Sequence, residues 1–481
     1  MKIWHIAGWV LALLSLAACA PRMPQLAAPA SLQDLQLSTG LDLQKSTLAA
    51  TATWWQPLLN AEQQKILQLA LHDNPDLAVA EGRVRLATAE LRGAGAELAP
   101  QINAAGHVGV SRWTENQFYL PPYAGETSWN NSLKLDFSYN LDLWGKEKER
   151  VKEARLHVQV MEEKQRAATL VLENAALQQM LAISGNDAVL TQLQREQRIL
   201  QQVENIERQR EQHGLSDSLV ALGTAARLSS LHREIDVERE KRQSNREALA
   251  VLCGQGTRLP MPLADGEMNL LQSGWKSPRQ VLAEWIAQRP DVLARRSAIE
   301  AAAAAVHVAR DAYYPNINIV AFAGGLAAAG ALFTFLHPGS LQAGIGPAIS
   351  LPLFTGGRLR GDFDASQANY QIALAQYRKS LLHALQQVAA ALTALQAAQQ
   401  ERASLKQREA VLQRTEKLQQ ERYHAGLNNA LPVLEAQLPV IDNQLQQIRL
   451  NTHAQQTLVN LYAALGGRVV ANTWSDSAAG S

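Results

Sequence analysis

Aromatic residues are scarce in this chain, at 5% of 481 positions, and only two residues are cysteines. Two cysteines cannot staple a disulfide framework, and so few aromatics leave little to fill a β-sandwich or an open α/β sheet. Neither sign of charge dominates. Forty-five Lys and Arg are interleaved with 44 Asp and Glu, so no basic tract invites nucleic acid. Eleven histidines are scattered without a His-x-x-x-His spacing, and no Cys-x-x-Cys pair accompanies them. A Gly-rich phosphate loop and a Gly-x-Ser-x-Gly elbow are also missing. The common enzyme frameworks are therefore excluded, and no cofactor or metal is expected. Proline is absent from two long stretches, ending near Gln212 and His424, so nothing interrupts a helix there. What is abundant is Ala and Leu, within a hydrophobic fraction of 47%, and that mixture favours long helices.

The two cysteines have different settings. Cys253 closes a helical stretch and reads as a small buried apolar residue. Cys19 follows Lys2, an apolar run from Ile6 to Leu16, and the small residues Ala17 and Ala18. That run is too short to span a bilayer and has the layout of a signal peptide over 1–18. Small residues directly before a cysteine resemble a lipobox, in which the thiol is acylated and Cys19 becomes the mature N-terminus. The alternative is an ordinary signal peptide with an incidental cysteine. Residues 19–53 read as a polar, Ala/Pro/Gln-rich tether, and 468–481 as a loose tail.

Between those ends the sequence repeats itself. Asn74-Pro75-Asp76-Leu77 returns 215 residues on as Arg289-Pro290-Asp291-Val292, and Pro100-Gln-Ile102 returns at the same offset as Pro315-Asn-Ile317. His213-Gly214-Leu215 returns 212 residues on as Ala425-Gly426-Leu427, and Cys253-Gly254 as Leu465-Gly466. Ordered matches at a nearly constant offset predict two copies of one plan, 54–255 and 256–467. Each copy reads as helix, strand, strand, very long helix, helix. The strands fall at about 102–113 and 129–143, then at about 316–332 and 341–354. The long helices, near 100 Å at about 1.5 Å per residue, carry apolar seams at spacings of three and four. Leu374, Leu381, Leu385, Val388, Leu392 and Leu395 mark one seam, and Leu434, Leu438, Ile441, Leu445 and Ile448 the next.

The clearest strand alternates Leu133, Leu135, Phe137, Tyr139, Leu141 and Leu143 with polar residues. Ile319 to Leu336 lacks charge and imitates a membrane helix, with a single span as the alternative reading. The repeat, however, sets it on the polar-alternating Ile102–Gly109, and Gly324, Gly325 and Gly330 interrupt it. It is therefore expected to be one arm of a hairpin. Four such strands suit a membrane barrel but cannot close one, because an open edge would leave amides unsatisfied in lipid. Two copies would supply eight strands with a filled interior, and three would supply twelve with room for a passage. The helices are too long and too polar to lie in the bilayer.

These residues resemble the TolC/NodT family of outer-membrane efflux factors over nearly all of 54–467. The carriers are the lipobox, Trp54-Trp55-Gln-Pro-Leu, Asn74-Pro-Asp-Leu, Leu351-Pro-Leu-Phe-Thr-Gly-Gly-Arg358, Tyr423-His-Ala-Gly426 with Val433-Leu-Glu-Ala436, and the duplication. The resemblance implies a mainly α fold with membrane β: a homotrimer with a twelve-stranded β-barrel in the outer membrane and a long periplasmic α-barrel. It also implies a lipid-anchored efflux channel fed by an inner-membrane efflux pump through a periplasmic adaptor (membrane fusion) protein. Turns at Gly214-Leu215 and Gly426-Leu427 would form the periplasmic tip that meets the adaptor. Family members carry an acid nine positions after the second tip glycine, where three copies narrow the tunnel. Glu435 stands at that position, with Leu431 one turn earlier. Pro432 and Pro439 depart from the family pattern and put the gate geometry in doubt, while the first-repeat equivalent, Gly223, brings no charge. His213 and His424 flank the tip turns and read as exposed loop residues.

Two rivals share parts of this reading: an outer-membrane channel for type I protein export, and a periplasmic coiled-coil lipoprotein without a pore. The alternating strands count against the second, since a scaffold needs no lipid-facing surface. If Cys19 is the acylated residue, Cys19→Ser is expected to abolish palmitate labelling and cleavage at that site. Labelling and mobility identical to wild type would place the anchor elsewhere.

Overall fold

The computed structural model describes residues 21–23, 25–30, 41–42, 53–116, 121, 124–258, 281–327 and 331–467. The signal peptide, Cys19 and the tail after 467 lie outside the described residues. In chain order the elements are β1 (Leu41–Asp42), α1 (Ala61–Asp73), α2 (Pro75–Ala96), β2 (Gln101–Arg112), β3 (Thr127–Asn140), α3 (Lys146–Gln212) and α4 (Ser218–Leu252). The second repeat follows with β4 (Val281–Leu282), α5 (Ala283–Ala287), α6 (Pro290–Asp311), β5 (Asn316–Ala327), β6 (Leu341–Ser350), α7 (Arg358–His424) and α8 (Leu431–Ala464). Both very long helices run unbroken for 67 residues. No described helix is long and apolar enough to cross a membrane. The uncharged run at 319–336 is strand up to Ala327, and its described remainder includes a 3₁₀ turn at Thr334–Leu336.

The described residues divide into two compact units, whose boundaries fall inside α2, α3, α6 and α7. The first holds a four-stranded antiparallel sheet in the order β2-β3-β5-β6. β3 and β6 stop short of the ends expected from alternation alone, each at a local obstacle. After β3, Asp142 takes a positive φ of 42° and its carboxylate accepts the Glu147 and Lys148 amides, so the chain turns to start α3. β6 ends two residues before Pro352, which cannot donate to a ladder. Trp144 then stacks on Tyr314 at 5.0 Å and donates its indole N–H to the Pro315 carbonyl, joining the corner after β3 in the first repeat to the corner before β5 in the second.

The second unit is helical. Val189, Leu193 and Leu200 of α3 pack with Leu228, Leu231 and Ile235 of α4 and with Leu438, Ile441 and Leu445 of α8 in one cluster. Along α7 the buried seam includes Leu381, Ala384, Val388, Ala391, Leu395 and Ala398. Leu374 and Leu385, expected at the seam, are only half-buried. Alternating leucine with alanine lets neighbouring helices approach closely, and alanine carries too weak an apolar signal to be counted from sequence. The duplication reaches individual hydrogen bonds. Asn74 donates to the carbonyl of Leu252 at 2.9 Å, and its counterpart Arg289 donates to that of Ala464 at 3.1 Å. In both repeats the residue before the proline thus occupies a carbonyl that the last helix leaves open.

Where the folded part begins, Trp54 and Trp55 are buried and both donate to one carboxylate, Glu173 of α3, at 2.7 and 2.8 Å. Trp54 also meets Tyr462 of α8 edge-on and lies against Gly467, where a side chain would clash with it. Burial pushes the Glu173 carboxyl above the usual carboxylate range, opposed by the two indole hydrogen bonds, which pull it down. Glu173→Ala strands two buried donors and is expected to destabilise the unit by on the order of 3 kcal/mol. The thermal midpoint checks this: Ala should lie lowest, Gln, which keeps one acceptor oxygen, between it and wild type, and an unchanged midpoint would contradict the clasp.

Candidate functional site

The register of the sheet sorts every strand residue onto one of two faces. One face carries Ile102, Ala104, Gly106, Val108 and Val110 of β2 against Trp129, Asn131, Leu133, Leu135, Phe137 and Tyr139 of β3. It continues with Ile317, Ile319, Ala321, Ala323, Gly325 and Ala327 of β5 and Leu341, Ala343, Ile345, Pro347 and Ile349 of β6. Asn131 is the single polar side chain in this band. Arg112 and Thr127, paired with each other, bound it at the end away from the helices. The ten-residue step from Trp129 to Tyr139 covers about 33 Å of strand, or about 25 Å when tilted as in a membrane barrel. Much of the band is bare in the single chain, Ile102 being 70% exposed and Ile345 80%, while Asn131 and Ala327 at its far end are buried. A surface of this size and uniformity is suited to hydrocarbon rather than water.

The opposite face is mostly polar or small. Gln101, Asn103, His107, Asn130, Ser132, Ser138, Asn318 and Gln342 point there, with Gly344 and Gly346. Lys134 pairs with Asp136 at 2.6 Å and stands 5.3 Å over the ring of Phe322, which fills the space that Gly344 leaves. Such a face can border water.

Among the described residues the sheet also has two free edges. β2 pairs only with β3, and β6 only with β5. Alternate residues on each therefore direct N–H and C=O groups away from the sheet. Three antiparallel steps leave β2 and β6 running in opposite directions, so the β6 edge of one copy is compatible with the β2 edge of another. The strand ends that lead into helices all lie at one end of the sheet: the start of β2, the end of β3, the start of β5 and the end of β6.

In the helical unit the two expected turns are nearly superimposable in their bonding. Gly214 and Gly426 both have φ of 70°. Leu215 N–H bonds the carbonyl of Arg210 at 2.7 Å, and Leu427 N–H that of Arg422 at 2.9 Å. These are Schellman closures, which need a left-handed residue at the glycine. Leu215 and Leu427 each project into solvent, 70% exposed. The flanking side chains differ but the contacts recur: Ser216 donates to the buried Glu207 at 2.9 Å and Asn428 to Gln419 at 2.9 Å, Asp217 and Asn429 accept the Leu219 and Leu431 amides, and Pro432 alone, in the first turn of α8, departs from its counterpart Val220. There the missing N–H of Pro432 costs nothing.

Glu435 is exposed, and Leu431 is half-buried four residues before it on the same side of α8. Pro439 lies inside α8 and has no N–H to give the carbonyl of Glu435, so that position presents a carboxylate and a released carbonyl together. The alternation in β3 already sets Lys134 and Asp136 on a charged face; that Phe322 of β5 joins them there is not legible in it. Among the described residues no cluster of His, Cys, Asp and Glu could hold a metal.

A family model described as "Outer membrane efflux protein" matches residues 66–255 and again 281–467. The fusaric acid resistance protein FusA of Burkholderia cepacia is 32% identical over 318 residues, covering 66% of this chain and 60% of that protein. The pyoverdine export outer membrane protein OpmQ of Pseudomonas putida is 28% identical over 465 residues, covering 94% and 95%. The crystal structure of the outer membrane protein VceC from Vibrio cholerae superposes with a TM-score of 0.75 at 28% identity, covering 87% of this chain and 99% of that one.

Gly426→Ala meets no neighbouring atom, so its cost is the left-handed backbone alone, about 1–2 kcal/mol. Hydrogen exchange at the Leu427 amide is expected to quicken on the order of tenfold, and less for Gly426→Asn, which tolerates that backbone. Unchanged exchange would mean that the turn is not held by this closure.

Proposed function

The chain belongs to the outer membrane efflux protein family, a family of channels rather than enzymes, and from that premise we propose how it builds its conduit. It is an outer-membrane efflux channel with helices reaching into the periplasm. Three copies join β6 to β2 around an axis, giving twelve strands with the apolar band toward lipid and the Lys134–Asp136 face toward the lumen. The observation that carries this reading is the four-stranded sheet with one continuous apolar face and two unpaired edges. In hydrocarbon each unmet backbone group costs several kcal/mol, so a lone copy has no stable place in the membrane. Two copies would close eight strands on a filled interior, whereas a channel needs the wider ring.

The cargo is small organic molecules. The names of FusA and OpmQ refer to fusaric acid and to pyoverdine, and this favours efflux of small toxic compounds over type I protein export. Cys19 carries the lipid that ties the tether of residues 19–53 to the membrane. A periplasmic adaptor protein meets the exposed Leu215 and Leu427 at the glycine turns and links the channel to an inner-membrane pump. Two leucines 70% exposed in the single chain are a ready apolar contact for it.

Glu435 forms the gate, backed by Leu431. A threefold axis brings three carboxylates together, and like charges repel strongly where water is scarce. Hydration or a cation must offset that repulsion, and the carbonyl that Pro439 releases adds a second oxygen at the same place. The constriction is therefore cation-selective and narrow until adaptor contact spreads the helices.

Glu435→Ala is expected to raise single-channel conductance in planar bilayers and weaken cation preference, and Glu435→Lys to reverse the preference. Efflux in cells should survive the Ala change, because the open state needs no carboxylate. Wild-type conductance and ion preference in both variants would remove Glu435 from the constriction, and a monomeric active species would remove the trimer.

A further inference from the structure

The loop between β5 and β6 does not stand away from the sheet. Its described part, residues 331–340, folds back over the apolar face, as two independent contacts establish. Asn131, 1% exposed, donates its amide to the Leu332 carbonyl at 2.7 Å while accepting the Gly109 amide at 3.1 Å. At Gly325, on the same face, the Phe335 carbonyl occupies the place where a Cβ would be.

Two properties of this loop are unusual for a segment at the end of a hairpin. It contains no Asp, Glu, Lys or Arg, and Phe333 and Leu336 are 65% and 61% exposed. It also satisfies part of its own backbone. Consecutive 3₁₀ turns bond the amides of Thr334, Leu336, His337 and Ser340 within the loop, and the Thr334 and Ser340 hydroxyls donate to the carbonyls of Ala331 and Thr334. Exposed apolar side chains cost free energy in water, and unbonded amides cost it in lipid. This loop has the first feature and has reduced the second. The described part of the β2–β3 loop, by contrast, carries Glu115 and Glu126.

We infer that the β5–β6 loop is a lipid-contacting element, lying on the outside of the barrel with Phe333 and Leu336 among the acyl chains of the outer leaflet. The occupant follows from continuity, since the loop sits on the band that faces lipid, at the end opposite the helices. Asn131 is the anchor: the one polar side chain of the band is spent on holding the loop down.

The inference rests on the membrane reading of the sheet, and the test separates the two. Nitroxides are placed at Phe333→Cys, Leu336→Cys, Ile345→Cys and Asn116→Cys in the full-length channel reconstituted in bilayers, with labelled parent protein as background. Collisions with oxygen, which enters lipid, are compared with those of a water-soluble nickel chelate. Positions 333, 336 and 345 are expected to favour oxygen several-fold, and position 116, in the polar loop, to favour nickel. Nickel access at 333 and 336 with oxygen preference kept at 345 overturns the loop inference alone. Nickel access at 345 as well overturns the membrane reading of this face. Exclusion of both reagents at 333 and 336 would mean burial against another copy, and overturns the lipid contact. In Asn131→Ala the label at 333 is expected to gain nickel access, and unchanged accessibility overturns Asn131 as the anchor.

Discussion

Backbone hydrogen bonding at the edges of a four-stranded sheet is the constraint on which the rest of this protein depends. β2 and β6 each have one bonded side and one bare side. In water such edges are a hazard, and in hydrocarbon they are prohibitive. One chain cannot remove them, because β2 and β6 are separated by two intervening strands that keep the sheet open. Association with further copies is therefore a condition of residence in the membrane. The same condition explains the duplication: each repeat contributes one hairpin, an even number of strands, so copies can be added without breaking antiparallel order.

The helices answer a second constraint, set by composition. A chain with balanced charges and abundant Ala and Leu can make long helices but cannot bury them in lipid. They pack on one another through heptad seams and leave polar faces outward. The glycine turns at 214 and 426 reverse the chain with the same φ of 70° and the same closing bond, although several residues around them have changed. Geometry has been retained in both repeats, and with it the leucine that follows each glycine and the two polar contacts that flank each turn.

Much of this was legible in the primary structure. The alternation through Leu133, Leu135 and Phe137 reveals a strand because a two-residue period has no helical counterpart, and the prolines at 75 and 290 mark equivalent helix starts. What escaped was whatever depends on partners distant in sequence or on small residues. Ala384, Ala391 and Ala398 are seam positions whose burial is decided by a neighbouring helix. Glu173 looks like any helix acid until two indoles arrive from more than a hundred residues upstream. The fold-back of 331–340 could not be read either, since alternation reports which face a strand residue takes and says nothing of a loop that returns to cover it. Asn131 was the visible clue, a polar residue on the beat of an apolar alternation.

The clasp at Trp54 and Trp55 has a consequence for the order of events in biogenesis. Its acceptor lies in α3, and the ring that packs against Trp54 belongs to Tyr462, near the end of α8. A contact between residues 54 and 462 has very high sequence separation, and loop closure of that span cannot be completed early. Both indoles can reach Glu173 once α3 is made, but the packing of Trp54 on Tyr462 must wait until almost all the rest has been synthesised and delivered across the inner membrane. Completion of this corner is thereby a report that the whole polypeptide has arrived, and a truncated product would be left with its opening segment only partly secured and open to proteolysis.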